Sequence, residues 1–303
     1  IFMFVSGFPS AKEPGRSAYN YTFAKNILAS GLSLTVVYLR MVNPNRKLVN
    51  RVQVDGIEIL EISSVVPWFP KFFGKKLFAT IIRLARRLIN PHDRMNVVHS
   101  IGGANIPFAF QFSDYFRMPM LTQFIGSDVN LHLKAFMKNP DFVLGLKFSK
   151  ALIFNSAALR DLFNYQATGF NDIQQFVIYR GINLDQFVFQ LEPLVHQVNI
   201  LYLGGFPAQD KNLKGGLDIL EAIGHLDSSK LNVRLFFEIG GPNSEKVAPI
   251  ATSNSHLEVK VIGSISRKEV IEKLTRSHIV VIPSHHEGLP NFLLESMATG
   301  NLV

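Results

Sequence analysis

The stretch Pro283-Ser-His-His-Glu287-Gly-Leu-Pro290-Asn-Phe-Leu-Leu-Glu295-Ser-Met-Ala-Thr-Gly300 holds the residues whose types and spacing best suit chemistry. An apolar run, Ile279–Ile282, ends at Pro283, and a polar loop follows. Pro290 stands where the first turn of a helix tolerates proline, and Gly300 where a helix C-terminus favours glycine. The spacing predicts a helix over Pro290–Thr299, with Glu287 in the loop before it and Glu295 about two turns away on the helix. Free N–H groups at such a helix start, with the helix dipole, form an anion site. Carboxylates beside a phosphate would repel it. Glu287 and Glu295 make sense as acceptors for sugar hydroxyls, one on each side of a diphosphate. The plainer alternative, a helix with a solvated glutamate, accounts for either glutamate alone but less well for the whole string.

Near the start of the chain, Val5-Ser-Gly7-Phe-Pro9 reads as a strand followed by a tight loop. Glycine at position 7 would let backbone approach a phosphate closely. Pro14-Gly15-Arg16-Ser17 then precedes a helical pattern, with Ser17 placed to cap it and Gly15 and Arg16 placed near the same loop. The plain alternative for these is a surface turn with an ordinary cap. His285 and His286 do not read as a metal pair. Adjacent residues seldom point at one ion, and no third ligand lies at helical spacing from them.

The elements that must position these residues follow from the apolar pattern. Strands are expected at Ile1–Val5, Leu34–Leu39, Ile57–Ile62, Val97–His99, Met120–Phe124, Ala151–Asn155 and Phe176–Tyr179. Helical patterns such as Ala18–Leu28 and Phe78–Leu88 lie between them. After Phe187 the period is lost, and 188–198 reads as a linker between a first domain over 1–187 and a second over 199–303. The pattern then restarts with strands Val198–Leu203, Val233–Ile239, Leu257–Ile262 and Ile279–Ile282. Helices are expected at Gly216–Leu226 and Arg267–Ser277. The fold class is therefore α/β, as two doubly wound parallel sheets in series. Such sheets bind ligands beyond the carboxyl ends of their strands, where Gly7, Glu287 and Glu295 lie.

The 303 residues, 47% hydrophobic, are too many for one ordinary core and suit two. Apolar runs are of strand length, far short of a membrane span, and no leader pattern opens the chain. There is no cysteine, which excludes disulfides, thiol nucleophiles and cysteine-ligated zinc and suits a cytoplasmic location. A net charge of +8 favours anionic partners. The lack of a Cys/His finger or RNP-type aromatic motif argues against nucleic acid. The most concentrated basic segment is Trp68–Leu88. Lys71, Lys75, Lys76, Arg83, Arg86 and Arg87 occur there among aromatics, with no acidic residue between Glu61 and Asp93. That composition suits the anionic inner face of a membrane and a membrane-adjacent acceptor; it also suits a sheet-covering helix with a solvated basic face.

Glu287-Gly-Leu-Pro-Asn-Phe-Leu-Leu-Glu295 resembles the E-x7-E signature of retaining GT-B glycosyltransferases, the group-one glycosyl transferases usually gathered as family four. Other strings resemble that family in the right order. They are Val97-Val-His99 with Gly102-Gly103, Gly126-Ser127-Asp128, Asn155-Ser156, Tyr179-Arg-Gly-Ile-Asn-Leu-Asp-Gln-Phe187, and Leu203-Gly204 with Lys214-Gly215. The resemblance implies two Rossmann-like domains facing a cleft. Glu287 would meet the donor sugar, Glu295 the ribose hydroxyls, and the Gly288, Leu289 and Asn291 backbone the diphosphate. Lys214 would stabilise the leaving diphosphate, and no metal or further cofactor would be needed beyond the nucleotide diphosphate sugar as co-substrate. Gly7, Gly15, Arg16, His99, Gly126, Ser127 and Asp128 would line the acceptor and phosphate loops. The acceptor would be a saccharide, lipid-linked or at the cell surface.

The departures from the family pattern are specific. Its phosphate-binding arginine is Gly205 here, with Lys211 in a longer loop as the expected replacement, and its histidine before Gly126 is Ile125. Relatives continue beyond the position of Val303, so the second domain is expected to be incomplete. An epimerase of the same architecture, or a non-catalytic relative binding nucleotide sugar or membrane, is the alternative. The E-x7-E and Tyr179–Phe187 strings favour transfer.

Overall fold

A computed structural model describes residues 1–8, 18–41, 49–64, 96–189, 196–207, 212–227, 232–247 and 256–303. The chain divides into two compact units, Ile1–Tyr179 and Arg180–Val303. This division falls ahead of the 187/188 boundary expected from the sequence. The reason is packing: Ile182 and Phe187 join Leu201, Leu274, Val280 and Phe292 in a core of the second unit.

The first unit is built on β1 (Phe2–Val5), β2 (Thr35–Met41), β3 (Val49–Val54), β4 (Ile57–Ser64), β5 (Val98–Ile101), β6 (Met120–Phe124), β7 (Ala151–Phe154) and β8 (Gln174–Val177). They form one sheet in the order β3-β4-β2-β1-β5-β6-β7-β8. All pairings are parallel except β3 against β4. β1 shows why the pattern is a continuous apolar run. Phe2 and Phe4 face the Ile106–Phe116 helix, where Phe4 meets Phe112 at 5.1 Å between ring centroids. Met3 and Val5 face the other way and pack with Ala24 of the Ala18–Ala29 helix. Both faces are covered, so neither alternates with polar residues. The strand order reverses between β2-β1 and β1-β5, which places the loops after Val5 and Ile101 at a switch point.

The second unit holds β9 (Gln197–Tyr202), β10 (Arg234–Gly240), β11 (Leu257–Gly263) and β12 (Ile279–Val280), in the order β11-β10-β9-β12 and parallel throughout. Regular pairing of β12 stops at Val280, short of the expected Ile282, though the Val281 N–H still donates to Leu201 O at 2.9 Å. The switch point lies between β9 and β12, so the loops after Tyr202 and Val280 bound the site-bearing end. Helices Gly216–His225, Arg267–Arg276 and Asn291–Thr299 follow β9, β11 and β12. Among the described residues no helix is long and apolar enough to cross a membrane.

Candidate functional site

In the second unit the loop after β9, the loop after β10 and the loop after β12 pack backbone against backbone. Gly205 takes φ 73° and donates its N–H to Gly240 O at 3.1 Å. A Cβ at this position would lie 2.5 Å from Pro242 O. An arginine therefore does not fit at 205 with this loop geometry, which gives the departure noted in the sequence a physical cause. Gly215, at φ 71°, is the N-cap of the Gly216–His225 helix, and a Cβ there would collide with the Pro283 carbonyl. The β12 loop thereby rests directly on the helix start. The Tyr202 hydroxyl fastens the arrangement by donating to Gly205 O at 2.6 Å and Lys214 O at 3.1 Å. Burial, followed by the nearby charge of Asp218, pushes the Tyr202 pKa up to about 12, so it remains a donor.

On this frame the Lys214 ammonium donates to Glu287 Oε1, joining two residues far apart in sequence. Both are solvent-accessible, so a ligand can exchange with the ion pair. Beside them His285 Nε2 meets Asp218 Oδ2 at 2.8 Å, and Asp218 Oδ1 accepts from Asn212 Nδ2 at 2.9 Å. The His285 N–H donates to Leu213 O at 3.0 Å. His285 thus serves to tie the β12 loop to the Gly216–His225 helix. Among the described residues no group of three or more His, Cys, Asp or Glu side chains gathers as a metal-binding set.

The structure places Pro290 at the N-cap of the last helix, with φ −72° and ψ 130°, and not in its first turn; Asn291 opens the helix. No side chain caps this start, so its first N–H groups are free of such a partner. Gly288 and Leu289 lie half-buried in the preceding loop. Asn291 Oδ1 accepts from Arg180 Nη1 at 3.2 Å, which brings a guanidinium to the helix start. Glu295 is 7% exposed, and its Oε2 accepts from Arg267 Nη1 at 2.7 Å. Arg267 in turn lies over the Phe187 ring, 5.4 Å from its centroid. Gly300 closes the helix at φ 89° as the sequence suggested.

Sequence reasoning missed Arg180 and Arg267. Arg180 was in view within the Tyr179–Phe187 string, but nothing local ties it to Asn291 across a separation of 111 residues. Arg267 follows Ser266, the N-cap of its helix in a capping box with Glu269, and the sequence marks it only as the start of the expected Arg267–Ser277 helix.

In the first unit the Gly126-Ser127-Asp128 turn follows β6. Gly126 takes φ 136° at the start of the short Ser127–Asn130 helix, and Ser127 is exposed. Asp128, expected in the acceptor and phosphate loop, turns inward. Its carboxylate accepts from Gly126 N at 2.8 Å, and from Ile125, Val129 and Gly103 N at 3.1 Å. It binds the loop after β5 to the loop after β6 and offers little to a ligand. Burial pushes its pKa up, and these backbone N–H bonds oppose the shift.

His99 lies within β5, 7% exposed and edge-on to Phe23 at 5.7 Å. Burial lowers its pKa to about 4, against a hydrogen bond with Gln123 that works to raise it. Its Nε2 has no hydrogen-bond partner among the described residues. Gln123 Nε2 also donates to Asn155 Oδ1 at 3.1 Å, and Asn155 Nδ2 to Ile125 O at 3.3 Å. These amides lie beneath the turn where the family's histidine is replaced by Ile125. Gly7 is buried at the end of β1, its carbonyl accepting from Asn20 Nδ2 at 2.7 Å. Gly15, Arg16, Lys211 and the Trp68–Leu88 segment lie outside the described residues.

Comparison with known proteins bears on the fold and on the second unit. Residues 197–303 match the family described as glycosyl transferases group 1. No curated protein sequence matches the chain. Solved structures match it over nearly its whole length. A sucrose-phosphate synthase from Thermosynechococcus elongatus is 14% identical with a TM-score of 0.64, covering 99% of this chain and 79% of its own. An α,α-trehalose-phosphate synthase (UDP-forming) from Burkholderia vietnamiensis is 9% identical with a TM-score of 0.67, covering 98% and 80%. One from Burkholderia xenovorans, in complex with glucose-6-phosphate, is 10% identical with a TM-score of 0.64, covering 99% and 82%. The shared architecture is two parallel α/β sheets in series, and at these identities the likeness speaks for the fold. The chain therefore has the GT-B fold, with the E-x7-E string on its expected loop and helix inside the 197–303 segment that matches glycosyl transferases group 1.

Proposed function

We propose that the chain is a glycosyltransferase that moves a sugar from a nucleotide diphosphate sugar to an acceptor hydroxyl with retention of configuration. One observation carries the reading: Lys214 and Glu287 meet at the switch point of the second sheet, with Glu295 buried along the helix that follows. In this proposal the ribose hydroxyls donate to Glu295, and the diphosphate lies against the N–H groups at the start of the Asn291–Thr299 helix. Glu287 accepts from the sugar hydroxyls. Lys214, released from Glu287 as the donor binds, meets the negative charge that grows on the departing diphosphate. Arg180, held at the helix start by Asn291, adds the second cation that Gly205 withholds. No metal is needed for that charge balance.

The first unit is proposed to serve the acceptor through the Gly7 loop and Ser127, with Asp128 holding that region in shape. A saccharide acceptor, lipid-linked or at the cell surface, suits the basic aromatic Trp68–Leu88 segment. That part of the proposal is tested by vesicle co-sedimentation at low salt. Anionic vesicles should bind the protein and lose most binding when Lys75 and Lys76 become Glu, at about 1 kcal/mol per basic residue. Equal binding by that variant removes the membrane from the account.

The donor site is tested by calorimetric titration with UDP, GDP, ADP and CDP. One should bind, and Glu295→Gln should weaken it tenfold or more, because an amide is a poorer acceptor than a charged carboxylate. An unchanged affinity would take Glu295 out of the site.

A further inference from the structure

We propose that Arg267, clamped on Phe187, is the positioning residue that makes Glu295 a selective reader of ribose over 2′-deoxyribose. The inference deepens the donor reading above and rests on it. Glu295 is 7% exposed, and a carboxylate so placed needs a cation or several donors to stay in position. Among the described residues that cation is Arg267, at 2.7 Å from Oε2. A carboxylate has two oxygens and about four acceptor sites, so Arg267 on one oxygen leaves the other to a vicinal hydroxyl pair.

A surface arginine would ordinarily hold such a pair loosely, since its side chain has much rotamer freedom to lose. Here that freedom is already restricted twice. The guanidinium faces the ring of Phe187, itself 7% exposed, at 5.4 Å. The backbone at 267 is fixed by the capping box, in which Ser266 N–H donates to Glu269 Oε2 at 2.7 Å. Arg267 therefore arrives pre-set, and Glu295 with it. Arg267 is itself about half exposed, so replacing it leaves the core of the unit intact.

The experiment compares the affinity of the nucleoside diphosphate that binds the wild type with that of its 2′-deoxy analogue, for wild type, Arg267→Met and Arg267→Lys. Wild type should prefer the ribonucleotide at least tenfold. Arg267→Met should bring the ratio close to one by weakening the ribonucleotide more than the deoxy form. Arg267→Lys should recover part of the ratio, because it keeps the charge but not the planar stack. Melting temperatures taken alongside separate lost selectivity from lost folding, since partial unfolding weakens both nucleotides equally. A ten-fold preference that survives in Arg267→Met overturns the role of Arg267 while leaving the donor site standing. Wild type that binds both nucleotides equally removes the ribose from Glu295. Wild type that binds no nucleoside diphosphate sinks the donor reading itself.

Discussion

Gly205→Ala offers a quantitative check on the loop geometry that shapes the proposed donor site. The residue has φ 73°, where an L side chain costs roughly 1–2 kcal/mol. The added Cβ would stand 2.5 Å from Pro242 O and 2.7 Å from Pro242 Cδ and N, distances that force the two loops apart. Overpacking of that kind costs about 1–3 kcal/mol, so the total comes to about 2–5 kcal/mol. The natural control is Gly224, which sits inside the Gly216–His225 helix with nothing within 4 Å of an added Cβ. Gly224→Ala should stabilise by about 0.5–1 kcal/mol. Urea unfolding of both variants measures the contrast, and nucleoside diphosphate affinity measured beside it should fall for Gly205→Ala alone. Gly205→Arg, which introduces the residue that resembling sequences carry here, should lose stability and affinity together and not recover the missing cation. If Gly205→Ala is as stable as Gly224→Ala, or if Gly205→Arg tightens nucleotide binding, the loop geometry and the reasoning from it are wrong.

Asp128→Asn should destabilise the first unit by about 1–3 kcal/mol, because one amide oxygen cannot serve the four backbone N–H groups of Gly103, Ile125, Gly126 and Val129; a urea midpoint equal to wild type would contradict this. His99 supplies a pH dependence. Its pKa falls from 6.5 to about 4 on folding, mainly through burial, so the unfolded chain binds the proton in this range while the folded one does not. Stability is then highest above pH 6.5 and declines as pH falls toward 4, by up to roughly 3 kcal/mol. His99→Gln should flatten that part of a urea-midpoint series, and parallel curves for the two proteins would refute the assignment.

The strands were legible because a sheet covered on both faces demands uninterrupted apolar runs, as at Phe2–Val5 and Ala151–Phe154. β3 escaped notice: Val49-Asn-Arg-Val-Gln-Val interrupts its apolar residues with polar ones, as an edge strand can. The Asn291–Thr299 helix was legible from Pro290 and Gly300, which act locally. What the sequence hid were interactions closed by tertiary structure. Glu295 could be chosen as a site residue, but its partner Arg267 lies on another helix. Asp128 shows the opposite error. Its place in a Gly-Ser-Asp turn suggested a ligand group, whereas the buried geometry gives its oxygens to backbone donors.

The central claim is that Lys214 and Glu287 form the reacting end of a nucleotide-sugar site. Its most direct test is proton NMR of the purified protein incubated with a panel of nucleotide diphosphate sugars and saccharide acceptors, following donor consumption and the anomeric signal of the product. The account predicts that a donor is consumed with release of its nucleoside diphosphate, and that the product keeps the donor's anomeric configuration. Lys214→Ala should lower turnover at least a hundredfold, since removing one positioned group that meets transition-state charge costs on the order of 3 kcal/mol. Turnover in Lys214→Ala equal to wild type, or a product of inverted configuration, would contradict it.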